Sequence, residues 1–156
     1  MMKRVTVLLA VMGLWLTGCD GLMTGEQVQT QALVLHEQDG YAPLVLNLSP
    51  DMSPVAINFR AEHGDDPAEL GKWNSYHVTL SLHGAVMAEN DFSINHSGSI
   101  DSPMGATYVA HTILRSNLTE AGAYTLRIVP IKPVEVTLTR AEIEVRRQVQ
   151  NTLPNP

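Results

Sequence analysis

From Gln31 onward, apolar and polar residues alternate with a period of two, which sends successive side chains to opposite faces of an extended strand. The cleanest run sets Tyr76, Val78, Leu80 and Leu82 against His77, Thr79, Ser81 and His83. Gly84 ends that run, and Val86–Ile94 is predicted to return as its hairpin partner. Val55, Ile57 and Phe59 alternate with Ala56, Asn58 and Arg60, a strand with one wet face. Further β-rich runs cover Ala106–Leu114, Ala123–Val129 and Val134–Val145. In the last of these the inward phase shifts near Arg140, which predicts a bulge or a bend between sheets. Gln31–His36 and Leu44–Leu48 read as a pair broken at the turn dipeptide Asp39-Gly40. Helical signal is confined to one turn in Asp66–Leu70, with Asp66 as N-cap and Pro67 in the first helical position. Seven or eight short strands separated by turn residues predict an all-β fold, a single antiparallel β-sandwich, with immunoglobulin-like and jelly-roll-like versions both open.

The start of the chain follows a different rule. Lys3 and Arg4 precede a twelve-residue apolar run, Val5–Leu16, too short for the roughly 20 residues that span hydrocarbon as a helix. It ends in Leu16-Thr17-Gly18-Cys19, and Cys19 is the only cysteine in 156 residues. A positive start, a short apolar stretch and small residues before a cleavage point describe a secretory signal. This ending resembles the lipobox of bacterial lipoprotein precursors. The resemblance covers residues 1–19 and implies that residues 1–18 are a signal peptide. It also implies that Cys19 becomes the N-terminus and carries a diacylglycerol, with an acyl chain on its amine in many Gram-negative bacteria. Two or more chains anchor a protein stably where one does not. Asp20 resembles the signal that retains such lipoproteins in the inner membrane, so the periplasmic face of the inner membrane is favoured over the outer membrane. Residues 19–30 then read as the lipidated cysteine and a polar tether, 31–149 as the sandwich and 150–156 as a frayed tail. Eleven extended residues reach at most about 35–40 Å, which keeps the domain near the bilayer.

Composition narrows the partners. The formal charge is −6, and removal of Lys3 and Arg4 leaves eight basic against sixteen acidic side chains. An acidic surface argues against nucleic acid and against electrostatic attachment to anionic headgroups, so the covalent lipid must hold the membrane. The segment Glu120-Ala-Gly-Ala-Tyr124-Thr-Leu126 resembles the tyrosine corner of immunoglobulin-like sandwiches, whose hydroxyl bonds back to nearby backbone. A hairpin opening with a core tyrosine accounts for the same residues.

Candidate chemistry is sparse. His77 and His83 lie on one strand face about 20 Å apart, too far to share a metal, and the six histidines read mostly as surface residues. Met23, Met52, Met87 and Met104 are scattered rather than clustered for copper. Glu62, Asp65, Asp66 and Glu69 crowd one loop, which reads as solvated, although oxygen-rich loops can take calcium. Trp73 follows, either as a stacking platform or as a cover for one end of the core. No serine lies in Gly-x-Ser-x-Gly or Ser-x-x-Lys, and no phosphate-binding loop occurs, so no enzyme and no cofactor beyond the lipid is expected. The expected function is that of a non-catalytic accessory module for an envelope protein complex. The alternative is a module for carbohydrate or metal, with Trp73, Asp65 and Asp66 as the candidate contacts.

Overall fold

The computed structural model describes residues 24–36, 40–96, 100–101 and 107–150. In chain order its strands are β1 (Glu26–Ala32), β2 (Leu35–His36), β3 (Gly40–Tyr41), β4 (Leu44–Leu48), β5 (Val55–His63), β6 (Trp73–Leu82), β7 (Ala85–Asn95), β8 (Ile100–Asp101), β9 (Thr107–Ser116), β10 (Gly122–Pro130) and β11 (Leu138–Arg147). They form a five-stranded sheet in the order β1-β11-β5-β9-β8, a four-stranded sheet in the order β4-β10-β6-β7, and the small pair β2-β3. Every pairing is antiparallel. The molecule is therefore an all-β sandwich, with eleven strands among the described residues rather than seven or eight.

Setting aside the two-residue strands leaves eight, and their order decides between the two expected topologies. The first and last pair with each other, and the second pairs with the seventh, β4 with β10. The chain thus winds as a doubled ribbon, one sheet reading 1-8-3-6 and the other 2-7-4-5. That is the jelly-roll arrangement, not the immunoglobulin one.

The core lies between the two inner faces. Ile57, Phe59, Ile143 and Val145 from one sheet meet Leu46, Val78, Leu80, Leu126 and Ile128 from the other, all essentially inaccessible to solvent. At one end, rings of Tyr41, Phe59, Tyr76 and Phe92 pack with centroids 5.3–6.0 Å apart. At the other, the hydroxyl of fully buried Tyr124 donates to the Glu120 carbonyl at 2.7 Å, the bond that the tyrosine-corner resemblance implies. The β6–β7 hairpin forms as expected. Its turn is His83-Gly84, with φ of +51° and +84°, the two positive values that a two-residue turn matched to strand twist requires. The register of β11 on β5 shifts between Leu138 and Arg140, where the sequence places a bulge.

Two expectations are corrected. Gln31–His36 does not pair with Leu44–Leu48. Its first half belongs to β1, beside β11, whereas β4 lies beside β10 in the other sheet. Only Leu35-His36 and Gly40-Tyr41 form a local pair. The tether expected to run to residue 30 gives way to strand at Glu26. The segment EQVQTQA shows no apolar period because it is a sheet edge whose side chains are mostly exposed, so backbone pairing and the Glu26–Arg147 ion pair (2.6 Å) hold it. Residues 1–23 and 151–156, and with them Cys19, Asp20 and the expected tail beyond Gln150, lie outside the described residues. Among the described residues no helix is long and apolar enough to cross a membrane.

Candidate functional site

Trp73 opens β6, and the period of two determines its direction. Asn74, Tyr76, Val78, Leu80 and Leu82 face the core, so Trp73, Ser75 and His77 face outward. The indole stays 50% exposed. Its surroundings are organised by its buried neighbour Asn74. The Asn74 amide oxygen accepts from the Glu135 and Val136 backbone N–H groups at 2.8 and 2.9 Å, and its nitrogen donates to the Val136 carbonyl at 2.8 Å and the Tyr76 hydroxyl at 3.1 Å. One buried amide thus binds the 131–137 loop against the start of β6. That loop places the Lys132 ammonium 4.1 Å from the centre of the Trp73 ring, a cation–π contact. Glu135 fixes the lysine at 2.6 Å, and the hydrogen bond from Lys132, together with its charge, holds the Glu135 carboxyl below its ordinary range.

Beside Trp73 a cleft of about 240 Å³ opens, lined by Trp73, Ser93, Asn95 and His111. Asn95 is the direct cross-strand partner of Trp73, and Ser93 pairs with Ser75 through a 2.9 Å hydroxyl contact. His111 comes from the other sheet, in register with the core residue Phe59. The two sheets meet here along the seam between β7 and β9, tied by the Asn90 amide donating to the Ile113 carbonyl at 3.0 Å. Partial burial pushes the His111 imidazole below its ordinary pKa, which favours the neutral ring.

The acidic loop takes another role. Asp66 caps the 3₁₀ turn Pro67–Glu69 by accepting from the Ala68 N–H at 2.9 Å, as its sequence position predicts. Glu69 accepts from the Thr137 N–H and hydroxyl at 2.8 and 2.7 Å, and these bonds, the backbone one foremost, hold its carboxyl below the ordinary value. Asp65 and Asp66 are exposed and do not line the Trp73 cleft, so the structure separates the candidate contacts that the sequence groups together.

Among the histidines, only His63 is buried in the described residues. His63 is buried and stacks on half-buried His96, ring centres 4.0 Å apart. The Gly64 carbonyl accepts from His63 Nδ1 at 3.0 Å and from His96 Nε2 at 2.9 Å, which fixes both tautomers. His77 turns Nδ1 to Asp91 (2.6 Å) and Nε2 toward Glu89 (3.7 Å), so it bonds carboxylates rather than a serine. His83 sits in the exposed β6–β7 turn. Among the described residues no three His, Cys, Asp or Glu side chains converge as a metal-binding group.

Ser93, Asn95, His111 and Lys132 were not legible as site residues. One signal was present: folding β6 on β7 about Gly84 brings the 90s alongside Trp73. A register shift between Leu80 and Ser81 then decides that Trp73 faces Asn95 rather than the core residue Ile94. No protein-family model matches the chain, and no curated protein matches it by sequence.

Proposed function

We propose that this chain is a non-catalytic binding module of the bacterial envelope, held by lipid on Cys19, and that its ligand is a small molecule seated in the Trp73 cleft. The anchor rests on the lipobox resemblance, and Asp20 favours the periplasmic face of the inner membrane. The observation that carries the binding reading is the half-exposed indole, braced by Lys132, forming one wall of a cleft that Ser93, Asn95 and His111 also line. A large exposed aromatic beside a few convergent polar groups is the usual make-up of a ligand site. Among the described residues the cleft offers one imidazole, one amide and one hydroxyl, a poor donor set for a tightly held cation, which favours a small organic ligand over a metal.

A second reading keeps the originally expected partner, another envelope protein. Leu70, Ile131 and Val134 are exposed apolar residues on the loops flanking Trp73, and aromatic and aliphatic anchors concentrate binding energy at protein interfaces. Two experiments separate these readings. A thermal-shift screen of small envelope metabolites against the full-length protein and Trp73→Ala should yield stabilising compounds that act on the first protein only. In-cell crosslinking from position 131 should capture no defined partner. A specific protein adduct together with a silent screen would transfer the function to the second reading. Labelled palmitate should enter the wild-type protein and not Cys19→Ala; equal labelling of both would remove the anchor.

A further inference from the structure

Resting on the small-ligand reading above, we propose that the cleft takes a neutral saccharide, with one pyranose ring against the Trp73 indole. The cleft's size, polarity and charge each restrict the ligand. At about 240 Å³ it is below the roughly 300–1,000 Å³ common for drug-sized ligands, so it holds a single ring rather than an extended molecule.

The polar lining restricts hydrogen bonding. Ser93 hydroxyl, Asn95 amide and neutral His111 imidazole each donate and accept. Adjacent hydroxyl groups, which also do both, match them better than phosphate or carboxylate oxygens, which only accept. Among the described residues, no side chain lining the cleft carries a full charge when His111 is neutral, and the depressed proton affinity of His111 keeps it so at neutral pH. An ionic ligand would therefore lose hydration without gaining a counter-charge. Lys132 does not supply one, because it lies over Trp73, is ion-paired with Glu135 and does not line the cleft.

The indole supplies the apolar complement. A pyranose presents C–H groups on one face and hydroxyls around its rim, so it can cover an aromatic surface while its rim reaches Ser93, Asn95 and His111. The platform is preorganised: Trp73 is paired in a sheet to Asn95, and its loop contact is held through Asn74, so little side-chain freedom remains to be lost on binding.

The test uses the mature protein from Cys19, which has lost Trp15 with the signal peptide and keeps Trp73 as its single tryptophan. Its emission is titrated with methyl β-glucopyranoside and N-acetylglucosamine, and in parallel with glucuronate, glucosamine and adenosine. Neutral sugars are expected to give a saturable change with Kd of about 1 mM. The two charged sugars should bind at least tenfold more weakly. By calorimetry, Asn95→Ala and Ser93→Ala should each weaken the neutral sugar several-fold with an unchanged melting temperature, since both positions are exposed. Saturation by adenosine or a charged sugar with no response to the neutral ones overturns the saccharide assignment and leaves the small-ligand reading standing. Silence from every probe overturns the saccharide assignment, and the screen and crosslink described above then decide the wider reading independently. Neutral-sugar binding indifferent to both variants also overturns it, because the sugar would lie elsewhere.

Discussion

The outer faces of the two sheets carry similar polar residues and use them in opposite ways. On the five-stranded sheet, Asn58 and Glu144 are paired across β5 and β11 and are 1% and 2% exposed. Glu144 accepts from Arg60 and Arg146 at 2.8 Å each and from the Asn58 amide at 3.3 Å, and Asn58 in turn accepts from Thr112 at 2.8 Å. Arg146 extends the network to the carbonyls of Thr24 and Gly25. On the four-stranded sheet, Trp73, Ser75, His77 and Ser93 stand open to solvent or to the cleft. A polar residue in a two-residue repeat therefore shows which face it occupies, not whether that face is wet. The paired face serves the fold, and the open face is available for binding.

The contrast is broken most directly at Glu144. Glu144→Ala leaves buried Arg146 without its carboxylate and Arg60 with Glu142 in its place, and should cost about 3–5 kcal/mol, read by urea denaturation. A loss below about 1 kcal/mol would show that the network is not the structural half of the comparison. Asn74→Ala removes the amide that holds the 131–137 loop and should cost about 2–3 kcal/mol, since buried backbone groups lose their partners. It should also weaken ligand binding while Glu144 variants that remain folded do not, which separates the two faces by function.

Gly84→Ala should cost about 1 kcal/mol. A methyl group there meets no atom within 4 Å, so only the positive φ opposes it, and a neutral result in thermal melts would discount the turn assignment. Trp73→Ala should change stability by only about 0.5–1 kcal/mol, the range of an exposed cation–π contact, while abolishing binding. A loss as large as that of Glu144→Ala would make Trp73 a core residue after all.

The smallest effect is that of Glu69. Its folded-state pKa is lowered, so its contribution is complete above the unfolded carboxyl pKa and is lost as pH falls through the folded value. The melting-temperature gap between wild type and Glu69→Gln should therefore close on acidification. A gap that persists in acid would mean that Thr137 does not depend on the charged carboxylate.

The alternation in β6 and β10 was legible because each strand has one dry face and one wetter one, whereas β5, expected to have one wet face, is buried on both over Val55–Phe59; the Asp66-Pro67 cap is a local hydrogen bond written in adjacent residues. β1 was not legible, since an edge strand with mostly exposed side chains needs no apolar period. Which of the six histidines is buried was not legible, since His63 packs against the distant ring of His96 and no local pattern announces that contact.

The fold class and the main hairpin with its turn follow from the sequence alone, and the bulge near Arg140 and the tyrosine hydrogen bond were each one of two readings it left open. All depend on periods or contacts within a few residues, where side-chain direction follows directly from backbone geometry. Tertiary structure alone decided the jelly-roll order, the union of β1 with β11, the burial of Asn58 and Glu144, and the meeting of Trp73, Asn95 and His111. These depend on which distant strands pair and in what register. A one-residue shift reverses a strand's faces, and such a shift can be read only once its partner is in place.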